Sequence, residues 1–213
     1  MRHTRIALSD RLVWQCASLL LAYPDAGTPG RLDVVDKLMA EVRGRASAPL
    51  TRTADALRRT DPMQAAADYV ATFDLDRRAT MYLTYWTAGD TRNRGAQMLA
   101  FATAYRSAGV PPPKDESPDH LPVVLEFAAT VNPREGRRLL VEHRVSVAML
   151  FEGLTAAASP YAHAVEAVIT TLPKATDVQQ TVRHLAQAGP PAESVGLAPF
   201  TLTVPPRRSA GGG

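Results

Sequence analysis

The chain has 213 residues, of which 46% are hydrophobic and 21% are charged. This composition excludes a chain that is disordered throughout and favours a folded domain with a sizeable core. The formal net charge is only +3, and Lys and Arg are interleaved with Asp and Glu. Charge therefore gives no indication of a nucleic-acid partner.

The most apolar stretch near the N-terminus, residues 12–22, contains the single cysteine, Cys16. One cysteine can form neither an internal disulfide nor a structural zinc site, and its apolar neighbours predict a buried small side chain. The stretch is shorter than the roughly 20 residues that a membrane helix needs. A turn sequence follows it instead of a signal cleavage site, so we expect a cytoplasmic protein.

Helical periodicity recurs along most of the chain, whereas the two-residue alternation typical of strands does not. The first predicted helix ends near Tyr23 and Pro24, and the second begins at Thr28 and Pro29. Residues 46–60 are small and polar, which predicts a loop with a weak helical turn.

Two later helices are predicted from a capping residue that stands directly before proline, Asp61 before Pro62 and Asn132 before Pro133. The second of these is expected to be one long, continuous helix as far as Leu154. Further helices are predicted over 92–107, 119–131, 160–172 and 177–188.

The sequence therefore predicts one all-α domain of about eight helices over residues 1–188. Residues 189–213 are rich in Pro and Gly and end in "RRSAGGG". We expect this C-terminal tail to be disordered.

The motifs that mark many enzymes are absent from the sequence. It has no glycine-rich phosphate loop, no nucleophile elbow and no cluster of Cys and His with metal-ligand spacing. Asp119 and His120 follow a proline at a predicted helix start. They are compatible with a helix cap beside a solvent-facing histidine, or with a functional site.

Aromatic side chains concentrate around the connector between the helix that begins at Pro62 and the helix that begins at Arg92. Tyr69 and Phe73 are four residues apart and should share one helical face. Tyr82, Tyr85 and Trp86 follow in the connector. From physics alone the rings either fill the core between two helices or line a concave binding surface.

Four segments carry a resemblance to a known family: "DYVATFDLDRRATMYLTYWTAGDTRNRGAQMLAFATAYRSAG", "SPDHLPVVLEFAA", "EGRRLLVEHRVSVAMLFEGL" and "SPYAHAVEAVITTLP". They resemble the nitrate reductase assembly chaperones of the NarJ type, which belong to the TorD/DmsD family of redox-enzyme maturation chaperones. The resemblance covers roughly residues 9–173 and is most specific over 68–128.

The resemblance implies an all-α, TorD-like fold and a chaperone that is not an enzyme and has no cofactor of its own. Such a chaperone binds the N-terminal segment of the nitrate reductase catalytic subunit in the cytoplasm until the client's molybdenum cofactor is inserted. It further implies transient contact with molybdenum cofactor biosynthesis proteins, no nucleic-acid partner and no stable membrane association.

The resemblance also suggests which residues bind the client peptide. They come from the aromatic helix, the connector and the Asp-His pair with its helix: Tyr69, Phe73, Tyr82, Tyr85, Trp86, Asp119, His120 and Glu126. We expect the rings of Tyr69, Phe73, Tyr82 and Trp86 to form an open apolar surface. Opposing charge for a basic client is expected from Asp74, Asp76, Asp90, Asp119 and Glu126.

Two other classes of function are compatible with the sequence. A small helical enzyme or nucleotide-binding protein would use Asp119 and His120, although no phosphate loop is present. A DNA-binding regulator would use the arginines of the connector region, although Asp74, Asp76 and Asp90 interrupt any continuous basic face.

Overall fold

The computed structural model describes residues 6–89, 92–175 and 178–191. Within these ranges the chain forms eleven α-helices and no strand, which confirms the all-α class and exceeds the predicted number of helices. The helices are α1 (Leu8–Leu20), α2 (Thr28–Met39), α3 (Ser47–Arg59), α4 (Pro62–Phe73), α5 (Tyr85–Ala88), α6 (Arg92–Ser107), α7 (Leu121–Glu126), α8 (Pro133–Glu142), α9 (Arg144–Ala156), α10 (Tyr161–Thr171) and α11 (Val178–Ala188). Most of the predicted C-terminal tail, residues 192–213, lies outside the described ranges.

Helix α1 lies at the centre of the core and packs against α2, α3, α7 and α10. Trp14, Cys16 and Ala17 are fully buried on it, and the small Cys16 and Ala17 leave room for close approach by neighbouring helices. Burial raises the pKa of the Cys16 thiol to about 12, so the side chain stays protonated at neutral pH. The interpretation of Cys16 as a buried small residue is confirmed.

The two predicted caps before proline are present. The Asp61 side chain accepts hydrogen bonds from the backbone N–H groups of Met63 and Gln64, at 2.9 and 3.2 Å. The Asn132 side chain accepts one from the N–H of Glu135 at 3.2 Å. These caps begin α4 and α8, because they satisfy N–H groups that have no partner within the helix.

The predicted loop over residues 46–60 is wrong, because most of this segment forms α3. Leu50, Thr53 and Ala54 are buried on one face, and the Thr53 hydroxyl donates to the Pro160 carbonyl at 2.9 Å. The small residues that suggested a loop allow α3 to pack closely against α10. Their low hydrophobicity is what hides the helical pattern.

The single long helix predicted after Asn132 is also wrong, because the chain breaks it into α8 and α9. The backbone leaves the helical conformation at His143, with φ −99° and ψ 19°. The His143 ring lies against Phe101 with 4.9 Å between ring centroids. The apolar pattern continues through the break, so spacing alone does not reveal it.

Among the described residues no helix combines the length and apolar character needed to cross a membrane. The buried apolar side chains of the described residues form two hydrophobic clusters. The larger one joins α1, α3, α7, α9 and α10, and a smaller one lies between α5, α9 and α11. The connector that carries most of the candidate residues runs between α4 and α6.

Candidate functional site

The connector between α4 and α6 is held by backbone pairing to the segment before α7. The N–H of Leu83 donates to the Asp119 carbonyl at 3.0 Å, and the N–H of Leu121 donates to the Met81 carbonyl at 2.9 Å. This short antiparallel pairing centres on Tyr82 and His120. It fixes the connector relative to α7, although 35 residues separate Thr84 from Asp119 along the chain.

Asp119 is fully buried, and its side chain adds hydrogen bonds to this backbone pairing. Its carboxylate accepts from the N–H of Thr84 at 3.1 Å and from the Thr84 hydroxyl at 2.6 Å. It also accepts a short hydrogen bond from the Ser117 hydroxyl. The helix-cap interpretation of Asp119 is wrong, because α7 begins after His120 without a side-chain cap. Both carboxylate oxygens are engaged, which leaves Asp119 the role of positioning the connector.

Tyr82 is the exposed ring of the connector, with 37% of its surface accessible. Its ring centroid lies 5.3 Å from that of His120, and the Arg94 guanidinium lies 5.3 Å from the same ring. The His120 Nδ1 is 3.5 Å from a Glu116 carboxylate oxygen. Burial lowers the pKa of His120, while the Glu116 and Asp119 carboxylates partly offset that effect.

Tyr69 and Phe73 share one face of α4, as predicted, with ring centroids 4.6 Å apart. Tyr69 is nevertheless buried, and its hydroxyl donates to the Leu21 carbonyl at 3.0 Å. Its ring also meets Tyr23 and Tyr161 edge-on, at centroid distances of 5.3 and 5.7 Å. Of these four rings, Tyr23 is exposed and Phe73 is partly exposed.

Nearby carboxylates affect the pKa values of the two tyrosines of the site, Tyr69 and Tyr82. Burial raises the pKa of Tyr69, and Tyr161, Asp74 and Glu116 raise it further. Burial also raises the pKa of Tyr82, together with Glu116, Asp119 and Asp74, against the effect of Arg94. Asp74 and Glu116 are both exposed, so they present negative charge to solvent beside these rings.

Tyr85 and Trp86 belong to the short helix α5. Their rings meet edge-on with 5.5 Å between centroids. Trp86 is 5% exposed and packs with Met149 of α9 and Val182 of α11. Its indole N–H is buried without a hydrogen-bond acceptor.

Glu126 lies exposed at the C-terminal end of α7, where its carboxylate helps to raise the pKa of Tyr105, chiefly a result of burial. It is not among the charges that act on Tyr69 or Tyr82. The structure thus sorts the predicted residues into Tyr69 with Phe73, Tyr82 with Asp119 and His120, Tyr85 with Trp86, and Glu126 apart. Asp90, another predicted charge, lies outside the described residues.

The expected open surface of four rings is wrong in one respect, because Tyr69 and Trp86 are covered. Packing against Tyr23 and Tyr161 covers Tyr69, and α11 packs over Trp86. Sequence reasoning also missed the contributions of Tyr23, Thr84, Arg94 and Glu116. Spacing alone does not reveal them, because contacts such as that between Thr84 and Asp119 join residues that are distant in sequence.

Comparison with known proteins supplies the family. The sequence family described as "Nitrate reductase delta subunit" matches residues 36–167. The nitrate reductase-like protein NarX of Mycobacterium tuberculosis is 59% identical over 160 residues, which make up 75% of this chain and 24% of NarX. The chain therefore spans about a quarter of the length of that relative.

Two further proteins resemble the chain over most of its length. The molybdenum cofactor assembly chaperone NarJ of Bacillus subtilis is 29% identical over 182 residues, covering 84% of this chain and 98% of NarJ. A crystal structure described as a redox enzyme maturation protein of Archaeoglobus fulgidus superposes with a TM-score of 0.57 at 22% identity. It covers 80% of this chain and 96% of that protein, and it supports the fold alone. The match over residues 36–167 shows that the chain belongs to the nitrate reductase delta subunit family, together with the NarJ-type assembly chaperones.

Proposed function

We propose that this chain is a chaperone that binds the N-terminal segment of the nitrate reductase catalytic subunit. In this proposal it holds the client in the cytoplasm, assists insertion of the molybdenum cofactor and releases the client for docking at the membrane. Membership of the family supports a role in nitrate reductase maturation. The choice of the N-terminal segment as the ligand follows from the resemblance to the NarJ-type chaperones, and the surface around Tyr82 is the site proposed for it.

The observation that carries the proposal is an exposed aromatic surface bordered by carboxylates. We name it the tyrosine face and define it by Tyr23, Phe73, Tyr82, Asp74 and Glu116. Tyr23 and Tyr82 are large apolar side chains left 48% and 37% exposed. Exposed aromatic rings on a rigid support are typical of peptide-binding surfaces, because they combine an apolar ring with a hydrogen-bonding hydroxyl.

Buried side chains hold the residues of the tyrosine face in position. Tyr69 is fixed by its hydrogen bond to Leu21 and supports both Tyr23 and Phe73. Asp119 fixes the connector on which Tyr82 stands. In this proposal Tyr69 and Asp119 position the binding surface and do not contact the client.

An amphipathic client segment would place its apolar residues on these rings and its basic residues toward Asp74 and Glu116. Burial of about 400 Å² of apolar surface at about 25 cal/mol/Å² gives about 10 kcal/mol before costs. Association and ordering of a flexible peptide remove about half of this, which leaves about 5 kcal/mol, or a dissociation constant of about 0.2 mM. Such an affinity suits a client that must be released.

The proposal assigns no catalytic step to this chain. The molybdenum cofactor is cargo of the client, and the chaperone keeps the client able to receive it. Contact with cofactor biosynthesis proteins is then transient, and membrane docking belongs to the released enzyme. For relatives such as NarX, of which this chain matches 24%, the proposal concerns the matching segment alone.

Co-purification tests the proposal directly. The tagged chain is expressed with the nitrate reductase catalytic subunit of the same organism, either intact or lacking about its first fifteen residues. The intact subunit should co-purify and the truncated one should not. Equal recovery of both forms would show that the N-terminal segment is not the ligand.

A further inference from the structure

Helix α11 covers the smaller hydrophobic cluster and contacts it through one narrow apolar stripe. Val178, Val182 and Leu185 are spaced at i, i+4 and i+7 and form its apolar face. Of its eleven residues only Val182 is buried, whereas six of the eleven residues of α10 are buried. Helix α11 packs chiefly against α9, so little apolar contact opposes its release.

The surface beneath α11 has the form of a helix-binding groove. We name it the α5–α9 groove and define it by Tyr85, Trp86, Val145, Ala148 and Met149. Trp86 and Met149 are each 5% exposed with α11 in place. Side chains on α5 form one wall, and residues spaced three and four apart on α9 form the other.

One polar group of Trp86 has no hydrogen-bond partner beneath α11. Its indole N–H is buried without an acceptor, which costs free energy relative to a hydrogen-bonded tryptophan. The α11 side chains that reach the cluster are aliphatic, so they supply no acceptor. An occupant with an oxygen acceptor at this point would bind the groove better than α11 does.

The polar side of α11 indicates what kind of occupant fits. It carries Arg183 and His184 and has no carboxylate between Val178 and Ala188. Glu152 is exposed and follows Val145, Ala148 and Met149 at helical spacing along α9. The groove thus holds an amphipathic helix whose polar side carries an arginine and no carboxylate, and this occupant belongs to the chain itself.

We propose that the α5–α9 groove is a second client-binding surface and that α11 is its exchangeable occupant. A basic amphipathic helix of the client, with apolar residues at i, i+4 and i+7, displaces α11 and packs on Trp86. The inference rests on the proposed function, because the client is the same nitrate reductase segment. It adds that client binding and release of α11 are coupled, since both compete for one groove.

Calorimetric titration of the full chain tests this competition. The probe is a synthetic peptide of about twenty residues that copies the N-terminus of the cognate catalytic subunit. Val182→Asp removes the central contact of α11, and Gln180→Asp is the matched control, with the same new charge at an exposed position of the same helix. We expect Val182→Asp to tighten peptide binding about five- to tenfold, because apparent affinity scales with the fraction of open groove. The control should stay within about twofold of the unaltered chain.

Hydrogen exchange on the unaltered chain provides a test that needs no folded variant. Saturating peptide should speed amide exchange throughout α11 and slow it in α5 and along α9. Leu185→Gln, a milder change on the same face, should tighten binding in the same direction as Val182→Asp.

The outcomes separate this inference from the proposed function. If the peptide binds the unaltered chain but the α11 variants bind like Gln180→Asp, and α11 exchange is unchanged or slower, the competition is contradicted and the chaperone proposal stands. If the peptide binds none of the chains, the proposed function fails and this inference fails with it.

Discussion

The carboxylate of Asp119 accepts two hydrogen bonds from Thr84, from its backbone N–H at 3.1 Å and its hydroxyl at 2.6 Å. This pair joins the segment before α7 to the residue that precedes α5. Tyr82 lies just before Thr84 on the tyrosine face, and Trp86 lies just after it in the α5–α9 groove. One buried carboxylate therefore orients the residues of both proposed surfaces.

Replacement of Asp119 should destabilise the fold. Asp119→Ala leaves the N–H and hydroxyl of Thr84 and the hydroxyl of Ser117 without their acceptor in a buried site. We expect a loss of about 2–4 kcal/mol in the free energy of unfolding, measured by urea denaturation. Asp119→Asn, which keeps one acceptor oxygen, should lose about half as much. Equal stability of Asp119→Ala and the unaltered chain would show that the pair does not hold the connector.

At Gly136 the backbone of α8 passes close to the π-helical turn Phe127–Val131. A Cβ at this position would overlap the Cα and Cβ of Ala128 and lie 2.9 Å from its backbone N. Gly136→Ala should therefore cost about 3 kcal/mol of unfolding free energy. Gly95→Ala is the control, because a Cβ there meets no atom within 4 Å in α6, and it should gain about 0.5–1 kcal/mol. Thermal and urea unfolding of the two variants should move in opposite directions.

Stability should fall as the solution becomes mildly acidic. Burial lowers the pKa values of His120 and His143 below the ordinary value of about 6.5, although Glu116, Asp119 and Glu142 oppose this. The unfolded chain then binds protons more readily than the folded one. The stability that these neutral rings contribute is complete above about pH 6.5 and is lost as the pH falls toward the folded-state pKa values.

Urea unfolding at intervals between about pH 5 and pH 8 checks this pH dependence. In the double variant His120→Gln and His143→Gln, the decline between about pH 6.5 and pH 5 should be smaller than in the unaltered chain. His163 is the control position, since its side chain is 36% exposed and pairs with Glu166 on the surface of α10. If His163→Gln flattens the curve as much as the double variant does, the two partly buried rings are not its source.

The carboxylates of the tyrosine face should contribute to peptide affinity through charge. Asp74→Asn with Glu116→Gln removes two negative charges beside Tyr82 and Tyr69. We expect basic client peptide to bind about three- to tenfold more weakly at low salt, with a shallower dependence on salt concentration. Asp33→Asn with Asp55→Asn removes the same charge from α2 and α3 and should leave the titration unchanged. An equal effect of both pairs would point to net charge instead of a local site.

Much of the architecture could be predicted from local signals. Asp61 and Asn132 before proline locate two helix starts, because capping and a fixed proline φ act within one turn. The i, i+4 spacing of Tyr69 and Phe73 predicts their contact for the same reason. The bounds of α6 also agree with the expected range of 92–107.

The parts that could not be predicted depend on distant partners. Tyr69 is buried because its hydroxyl meets Leu21, 48 residues earlier, and its ring meets Tyr161. Trp86 is buried because α11 returns to it from nearly a hundred residues later. A pattern of aromatic residues in one connector shows that rings are present, but whether they face solvent is decided by elements elsewhere in the chain.

Titration of the client peptide against a Tyr82 variant tests the central claim most directly. Calorimetry should show that Tyr82→Ala binds the N-terminal peptide of the cognate catalytic subunit about tenfold more weakly than the unaltered chain, because an exposed ring on a rigid support is removed. Leu99→Ala truncates an apolar residue on α6 that is 59% exposed and should bind within about twofold of the unaltered chain. Equal affinity of the Tyr82→Ala variant and the unaltered chain would contradict the tyrosine face as the site of client binding.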